Sequence, residues 1–255
     1  MMSPEQLNIL LDKECDKAFK SVRNPINNKY AEYSREVQKL ISSFHIDLDG
    51  KYNPKDAMHK YLLNKLNKDI NALTDDLFTF IEEKFDETID KHYDSCYNIT
   101  EHAINAKPMD SLVKSALKNT DIETEWSGIH YRDRLQNHKE RLKFTIKSNL
   151  NSSISREETF RKNYATVHTS INHQLNALDR LFKTEIGVFR IQSQLSCYKV
   201  NDIMYIKNKT GGCHSVCSKH VGKKIRVKDA VVGKNIPKFH PNCKCYIQEV
   251  REEDN

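Results

Sequence analysis

The sequence predicts a mainly α fold that ends in a small α+β module. Glycine and proline are scarce, with 7 and 6 residues among 255, so few positions favour tight turns or helix breaks. Apolar side chains recur at helical spacing through most of the chain. From residue 198 onward the pattern changes, because β-branched and aromatic residues alternate with polar ones among cysteines and histidines. We therefore expect an elongated helical N-terminal region, a helical block and a small C-terminal module.

The N-terminal region begins with two predicted helices. Ser3 and Pro4 suit an N-cap and a first helical turn, and they predict a helix over residues 4–21. Pro25 is expected to break this helix, since proline lacks the backbone N–H and clashes with the preceding turn. A second helix is predicted over residues 26–44.

The longest element is predicted to follow Pro54. Its apolar positions are spaced by three or four residues, close to a heptad seam. They are Leu62, Leu66, Ile70, Leu73, Leu77 and Phe80. The spacing predicts one helix of about 45 residues, roughly 65 Å long at 1.5 Å per residue, or two helices that meet near Asn98. Residues 107–125 are expected to form a polar connector.

A second helical block is predicted to open at Trp126 and to continue through Leu150. A turn is expected after Asn151, and a last long helix from about Tyr164 to Ser196. Three short strands are then predicted within the tail. They are residues 197–206, 224–227 and 246–248. The predicted domains are residues 1–125 (helical extension), 126–197 (helical block) and 198–255 (tail module).

The tail holds two clusters of soft metal ligands. A cysteine pair in each cluster, about 25 residues apart, suits one tetrahedral zinc ion with a structural role. The candidate ligands are Cys213, Cys217, His220, His240, Cys243 and Cys245. The spacing does not decide which four of the six bind the metal, and a reduced cysteine-rich turn without metal is the alternative. No H-E-x-x-H or H-x-E motif is present, so catalysis by this metal is not indicated.

The tail is also strongly basic. Between residues 198 and 248 there are eleven lysine or arginine residues and two acidic ones, an excess larger than the net charge of +6 of the whole chain. Such a module suits contact with phosphate or with an acidic protein surface, or it keeps a small metal module soluble. The sequence has no apolar run long enough to span a membrane and no recognisable secretory signal, so we expect reduced thiols.

The half of the chain from Trp126 onward resembles the phage head-morphogenesis or minor capsid protein family, which includes an F-like protein. Trp126-Ser127-Gly128 is similar to the family's tryptophan-led helical block, and residues 178–185 are similar to its helix with a Thr-Glu pair. The most specific likeness is the closing run, Pro237-Lys-Phe-His-Pro-Asn-Cys-Lys-Cys245. The chain departs from the family by one extra residue in the first cysteine pair and by Lys244 where arginine is common.

The resemblance implies a non-enzymatic virion component with a structural zinc ion. Such a protein is expected in the capsid interior or at the portal vertex, and in the host cytoplasm during assembly. Its partners would be the portal or major capsid protein, with packaged DNA near the basic tail and an influence on packaging or ejection. Residues 1–125 carry no motif of the family and are a candidate extension for docking to portal or capsid.

Two other functions remain open from the residues. A metal-dependent nuclease or toxin domain would account for the basic charge and the histidines, but it needs a histidine base and an open metal position. A zinc-stapled nucleic-acid-binding protein would show an affinity that falls steeply with salt. Binding to purified portal protein, compared with binding to duplex DNA, would separate these functions from a head-assembly role.

Overall fold

The mainly α fold with a small α+β module is confirmed by a computed structural model of the chain, which describes residues 2–48, 52–156, 158–212 and 215–250. The helices of these described residues are α1 (Pro4–Asp47), α2 (Ala57–Ala103), α3 (Ser111–Ile122), α4 (Tyr131–Ser155), α5 (Phe160–Val200) and α6 (Ser215–Ser218). The strands are β1 (Tyr205–Lys209), β2 (Lys224–Arg226) and β3 (Tyr246–Glu249).

Helix α1 begins where the sequence predicts. The Ser3 hydroxyl accepts a hydrogen bond from the backbone N–H of Gln6 at 3.2 Å, and the Gln6 side chain accepts one from the Ser3 N–H at 2.9 Å. This reciprocal pair satisfies two N–H groups that the helix itself leaves without partners. The capping pair therefore fixes the start of the helix.

The predicted break at Pro25 is wrong, because α1 continues through the proline to Asp47. An interior proline costs about 3 kcal/mol relative to alanine. Apolar side chains on both sides of it are fully buried, including Val22 and Ile26. Burying a side chain of this size contributes roughly 1.5–3 kcal/mol, so the continuous apolar face outweighs the local penalty.

The long helix is confirmed, and it has no break near Asn98. Helix α2 contains 47 residues, or about 70 Å at 1.5 Å per residue. Asp56 caps its start by accepting hydrogen bonds from the backbone N–H groups of Met58 and His59, at 2.8 and 3.0 Å. The seam is partly confirmed, because Leu66, Ile70 and Leu77 are buried.

The predicted polar connector is wrong over most of its length, because it contains α3. Asp110 caps this helix, and its carboxylate accepts from the backbone N–H groups of Leu112 and Val113. None of the α3 residues is buried. Leu112, Val113, Ala116 and Leu117 nevertheless recur at helical spacing, so the sequence contained a short helical signal that the prediction of a connector did not use.

Two helix boundaries also differ from prediction. Helix α4 begins at Tyr131 rather than at Trp126 and continues past Asn151 to Ser155. Helix α5 is longer than expected at both ends, so residues 197–200 are helical and not part of the first strand. Buried Cys197 and Tyr198 explain this extension, since the helical period of the core face continues through them.

The described part of the tail contains three strands, as predicted, but β1 shares only residues 205 and 206 with the predicted span 197–206. The strands form one antiparallel sheet with the order β2-β1-β3. In the register, Lys207 of β1 lies opposite Lys224 of β2 and Gln248 of β3. The inner face of the sheet contributes Ile206 and Ile247 to the core of the tail. The other buried members of this core are Ile191, Leu195, Tyr198, Val227, Ala230 and Ile236.

The chain divides into two compact units that do not follow the order of the sequence. One unit contains Met1–Val22, Phe85–Tyr131 and Arg180–Asn255, and the other contains Arg23–Lys84 and Arg132–Asp179. The predicted domain boundaries after residues 125 and 197 stay a prediction. Among the described helices, none has an apolar stretch sufficient to cross a lipid bilayer.

Candidate metal centre

Two short segments of the tail bring the candidate ligands together. Cys217 lies in the single turn of α6, and its carbonyl accepts hydrogen bonds from the N–H groups of His220 (2.9 Å) and Val221 (3.2 Å). The second segment turns between His240 and Cys243, where the Cys243 N–H donates to the His240 carbonyl at 3.1 Å. These two turns fix the backbone from which the ligand side chains project.

The ligand atoms of Cys217, His240 and Cys243 form a compact group. Cys217 Sγ lies 3.1 Å from His240 Nε2 and 3.6 Å from Cys243 Sγ. All three ligand atoms lie within 4.8 Å of one another. Around one tetrahedral zinc ion, sulfur and nitrogen ligands are expected roughly 3.5–3.8 Å apart, given the usual bond lengths. The sulfur–sulfur separation matches that range and the sulfur–nitrogen separation is somewhat shorter, so these residues could hold a metal ion after a small adjustment.

The hydrogen bonding of His240 prepares its ring for a metal. Its Nδ1 lies 2.8 Å from the carbonyl oxygen of Pro241. Because a carbonyl oxygen can only accept, Nδ1 carries the proton in this hydrogen bond and Nε2 presents its lone pair toward Cys217. Histidine ligands of metals commonly donate their other ring N–H in this way, which fixes the tautomer and the ring orientation.

Cys245 lies beside the group and offers a fourth ligand. It is buried with Cys217 and Cys243 in a small cluster that Phe239 partly covers. The backbone N–H of Gly211 donates a hydrogen bond to the Cys245 sulfur. Gly211 also packs against the Lys244 carbonyl, where a β-carbon would clash. The segment before α6 therefore approaches the second cluster closely, because it has no side chain at this position.

Burial and neighbouring thiols raise the pKa of Cys217 and of Cys245. Burial, followed by hydrogen bonding to Cys243 and Cys245, raises the pKa of Cys217 to about 12. Burial also raises the pKa of Cys245. A bound cation has the opposite effect, since metal coordination deprotonates a thiol. We therefore expect metal binding at this group to release protons.

A buried lysine supports the second cluster from behind. Lys238 is 6% exposed, and its ammonium group donates to the backbone carbonyls of Cys243 at 2.6 Å and Cys245 at 3.4 Å. Burial, and then the nearby Arg190, lower the pKa of Lys238. Trp126 adds a further connection, because its indole N–H donates to the Lys238 carbonyl at 2.8 Å.

Helix α5 also contacts this cluster. The backbone N–H of Asn242 donates to the hydroxyl of Thr184 at 3.3 Å. The Lys238 side chain lies over Gly187, where a β-carbon would approach its Cε to 2.8 Å. A glycine in this helix therefore makes the space that the buried lysine occupies.

The structure brings three of the six predicted ligands into one group. Cys217, His240 and Cys243 form the group, and Cys245 is adjacent to it. His220 lies outside the group, and its ring stacks on Phe239 with centroids 4.2 Å apart. Burial and the neighbouring lysines lower the pKa of His220. Cys213 lies outside the described residues, as does His214.

Sequence reasoning missed the residues that support the centre. Lys238 was predicted only as one of many basic residues of the tail, and Trp126 only as the start of a helical block. Charge composition alone does not distinguish a buried lysine from a solvated one. The run of Pro237, Lys238 and Phe239 between apolar positions was the available hint, since a charge within a buried segment needs partners.

Comparisons with known proteins add no relative to this picture. No protein-family model matches the chain, and no curated protein or solved structure shows significant similarity to it.

Proposed function

We propose that this chain is a structural minor capsid or head-morphogenesis protein of a tailed bacteriophage, and that one zinc ion holds its C-terminal module together. The proposal rests on the close approach of the Cys217 side chain to those of His240 and Cys243. Two of these residues belong to the closing run that resembles the minor capsid family. The same residues thus account for both the resemblance and the geometry.

Zinc is the metal that best suits this donor set. Thiolate and imidazole ligands at tetrahedral spacing are typical of structural zinc sites, whereas magnesium and calcium prefer oxygen. Cys217, His240 and Cys243 supply three ligands, and Cys245 or Cys213 supplies the fourth. When bound, the ion would supply a cross-link between two segments of the tail.

We propose that the ion has a structural role rather than a catalytic one. A fourth ligand beside the group, the sulfur of Cys245, would close the coordination shell, so that no position is left for a reacting water. The apolar core of the tail is small, and modules of this size commonly depend on a metal for stability. The chain's own residues hold the ligands in place through Lys238 and Trp126.

We propose that the partner of this chain is the portal or major capsid protein. Apolar side chains are exposed on α1, where Ile9 is 52% and Leu10 38% exposed. With His102 and Asn105 they line an open cleft of about 670 Å³. Exposed apolar clefts of this kind suit protein contacts. This surface lies in the N-terminal region that was predicted to dock.

Native mass spectrometry of protein purified without chelator tests the zinc part of the proposal. We expect one zinc ion per chain and about two or more protons released on rebinding. Pull-down with the portal protein encoded by the same genome tests the partner, and mass spectrometry of purified virions tests incorporation. Metal-free protein with reactive thiols contradicts the zinc centre. Absence from virions, together with no portal binding, contradicts the head-assembly role.

A further inference from the structure

The outer face of strands β1 and β2 is a ladder of basic side chains. Successive residues of a strand point to opposite faces, so Tyr205, Lys207 and Lys209 share one face of β1 while Ile206 points into the core. On β2 the same face carries Lys224 and Arg226, both exposed. The ladder consists of Lys207, Lys209, Lys224 and Arg226, with Tyr205 between them.

In this ladder, like charges lie directly opposite each other on neighbouring strands. Lys207 lies opposite Lys224 in the register of the two antiparallel strands. Side chains so placed are about 4.5–5.5 Å apart at their β-carbons, and like charges there destabilise a sheet. The described outer face of β1 and β2 carries no carboxylate. An anion bound on this face would be attracted by both ammonium groups.

A shallow cleft of about 250 Å³ adjoins the ladder. It is lined by Lys207, Lys209, Lys224, Gly222, Gln248, Glu249 and Val250. Among the described residues that line the cleft, Glu249 is the only acidic one. It is 7% exposed, and it lies on the same inner face of β3 as Ile247. The ammonium group of Lys224 lies 4.7 Å from the Tyr205 ring centroid. The exposed chemistry of the cleft is therefore cationic.

We propose that this ladder binds duplex DNA through its phosphate backbone, without reading the sequence. Lysine is depleted at protein–protein interfaces, whose centres are apolar and aromatic. On this face the ladder offers four cations and one tyrosine, which suits phosphate contacts better than a protein surface. This inference depends on the proposed function for one point only, which is that the duplex is the packaged DNA.

Fluorescence anisotropy with a labelled random-sequence duplex tests the proposal on the purified, zinc-loaded full chain. Four phosphate contacts predict a slope of about −3.6 for log affinity against log salt, between about 50 and 200 mM. The double variant Lys207→Gln/Lys224→Gln should flatten this slope by about 1.8 and weaken binding on the order of 50-fold at about 0.1 M salt. The control Lys219→Gln/Lys234→Gln removes equal charge from exposed positions of the tail that lie off the sheet.

The control should keep at least half of the wild-type affinity. Equal losses in the two variants would show diffuse attraction to the tail and overturn the proposal. Preference for single-stranded DNA, or binding to an acidic protein but not to duplex, would also overturn it. Circular dichroism and zinc content establish that each variant is folded. Because the assay needs no portal or virion, the head-assembly role can fail while DNA binding holds, and the reverse.

Discussion

His240 Nε2 lies 3.1 Å from Cys217 Sγ although the two residues are 23 positions apart. The Pro241 carbonyl accepts a hydrogen bond from the Nδ1–H group, so the lone pair of Nε2 is directed toward the thiol. A histidine oriented in this way, next to two buried cysteines, is what a structural metal centre requires.

We expect His240→Gln to weaken zinc binding by at least tenfold, since the side chain loses a nitrogen ligand. The matched control is His220→Gln, because His220 lies in the same module but stacks on Phe239 instead of joining the group. Competition with a chelating dye measures both affinities. Equal weakening in the two variants would assign His220 to the metal and contradict the ligand set.

A β-carbon at Gly233 should destabilise the tail more than one at Gly222. Both glycines have positive φ, +83° and +79°, so alanine costs about 1–2 kcal/mol at either position. At Gly233 the new β-carbon would also lie 2.8 Å from the indole nitrogen of Trp126, whereas nothing lies within 4 Å at Gly222.

Thermal or urea unfolding of Gly233→Ala and Gly222→Ala measures the difference between them. We expect Gly233→Ala to be less stable by a further 1 kcal/mol or so, because the indole must move and its hydrogen bond to Lys238 weakens. Equal stability of the two variants would show that Trp126 does not pack against this turn.

Acid should destabilise the chain partly through His92. Burial lowers the pKa of this histidine from 6.5 to about 4. Because its folded pKa lies below its unfolded pKa, the unfolded state binds more protons between these values. Stability is therefore fully present above pH 6.5 and is lost as pH falls toward 4.

Between pH 7 and pH 5 the loss due to His92 should be about 2 kcal/mol. His92→Gln removes the titrating ring and retains a donor for the Ile186 carbonyl, which Nε2 meets at 3.1 Å. Urea unfolding at both pH values should show a smaller pH effect in the variant. His45 also has a lowered pKa, so part of the dependence will remain. An unchanged pH effect would show that His92 does not cause the loss of stability at acidic pH.

Pro25→Ala should stabilise the chain by about 2 kcal/mol. Alanine restores a backbone N–H inside α1 and relieves the clash with the preceding turn. Pro4→Ala is the control, because a proline in the first helical turn loses no hydrogen bond and should give no gain. Urea unfolding measures both changes. A loss of stability in Pro25→Ala would show that the proline sits at a break and not within a continuous helix.

The predictions of α2, β2 and β3 succeeded for a local reason, and β1 was found but placed too early in the chain. The 3.6-residue period of buried positions such as Leu66 and Ile70 marks a helix regardless of its partner. The β-branched pattern around Ile206 and Ile225 likewise marks strands. Helix α3 was predictable in the same way, because Leu112, Val113, Ala116 and Leu117 repeat with the helical period after the capping Asp110.

The sequence by itself determined the mainly helical fold, the three strands of the tail, its basic charge and the residue types able to bind a metal. These follow from local spacing and composition, which act within a few residues. Only the tertiary structure decided that α1 continues through Pro25, that Cys217 meets His240 and Cys243 while His220 stacks on Phe239, and that Lys238 is buried behind the ligands. Each of these depends on packing between segments far apart in the chain, where burial energy outweighs local preference.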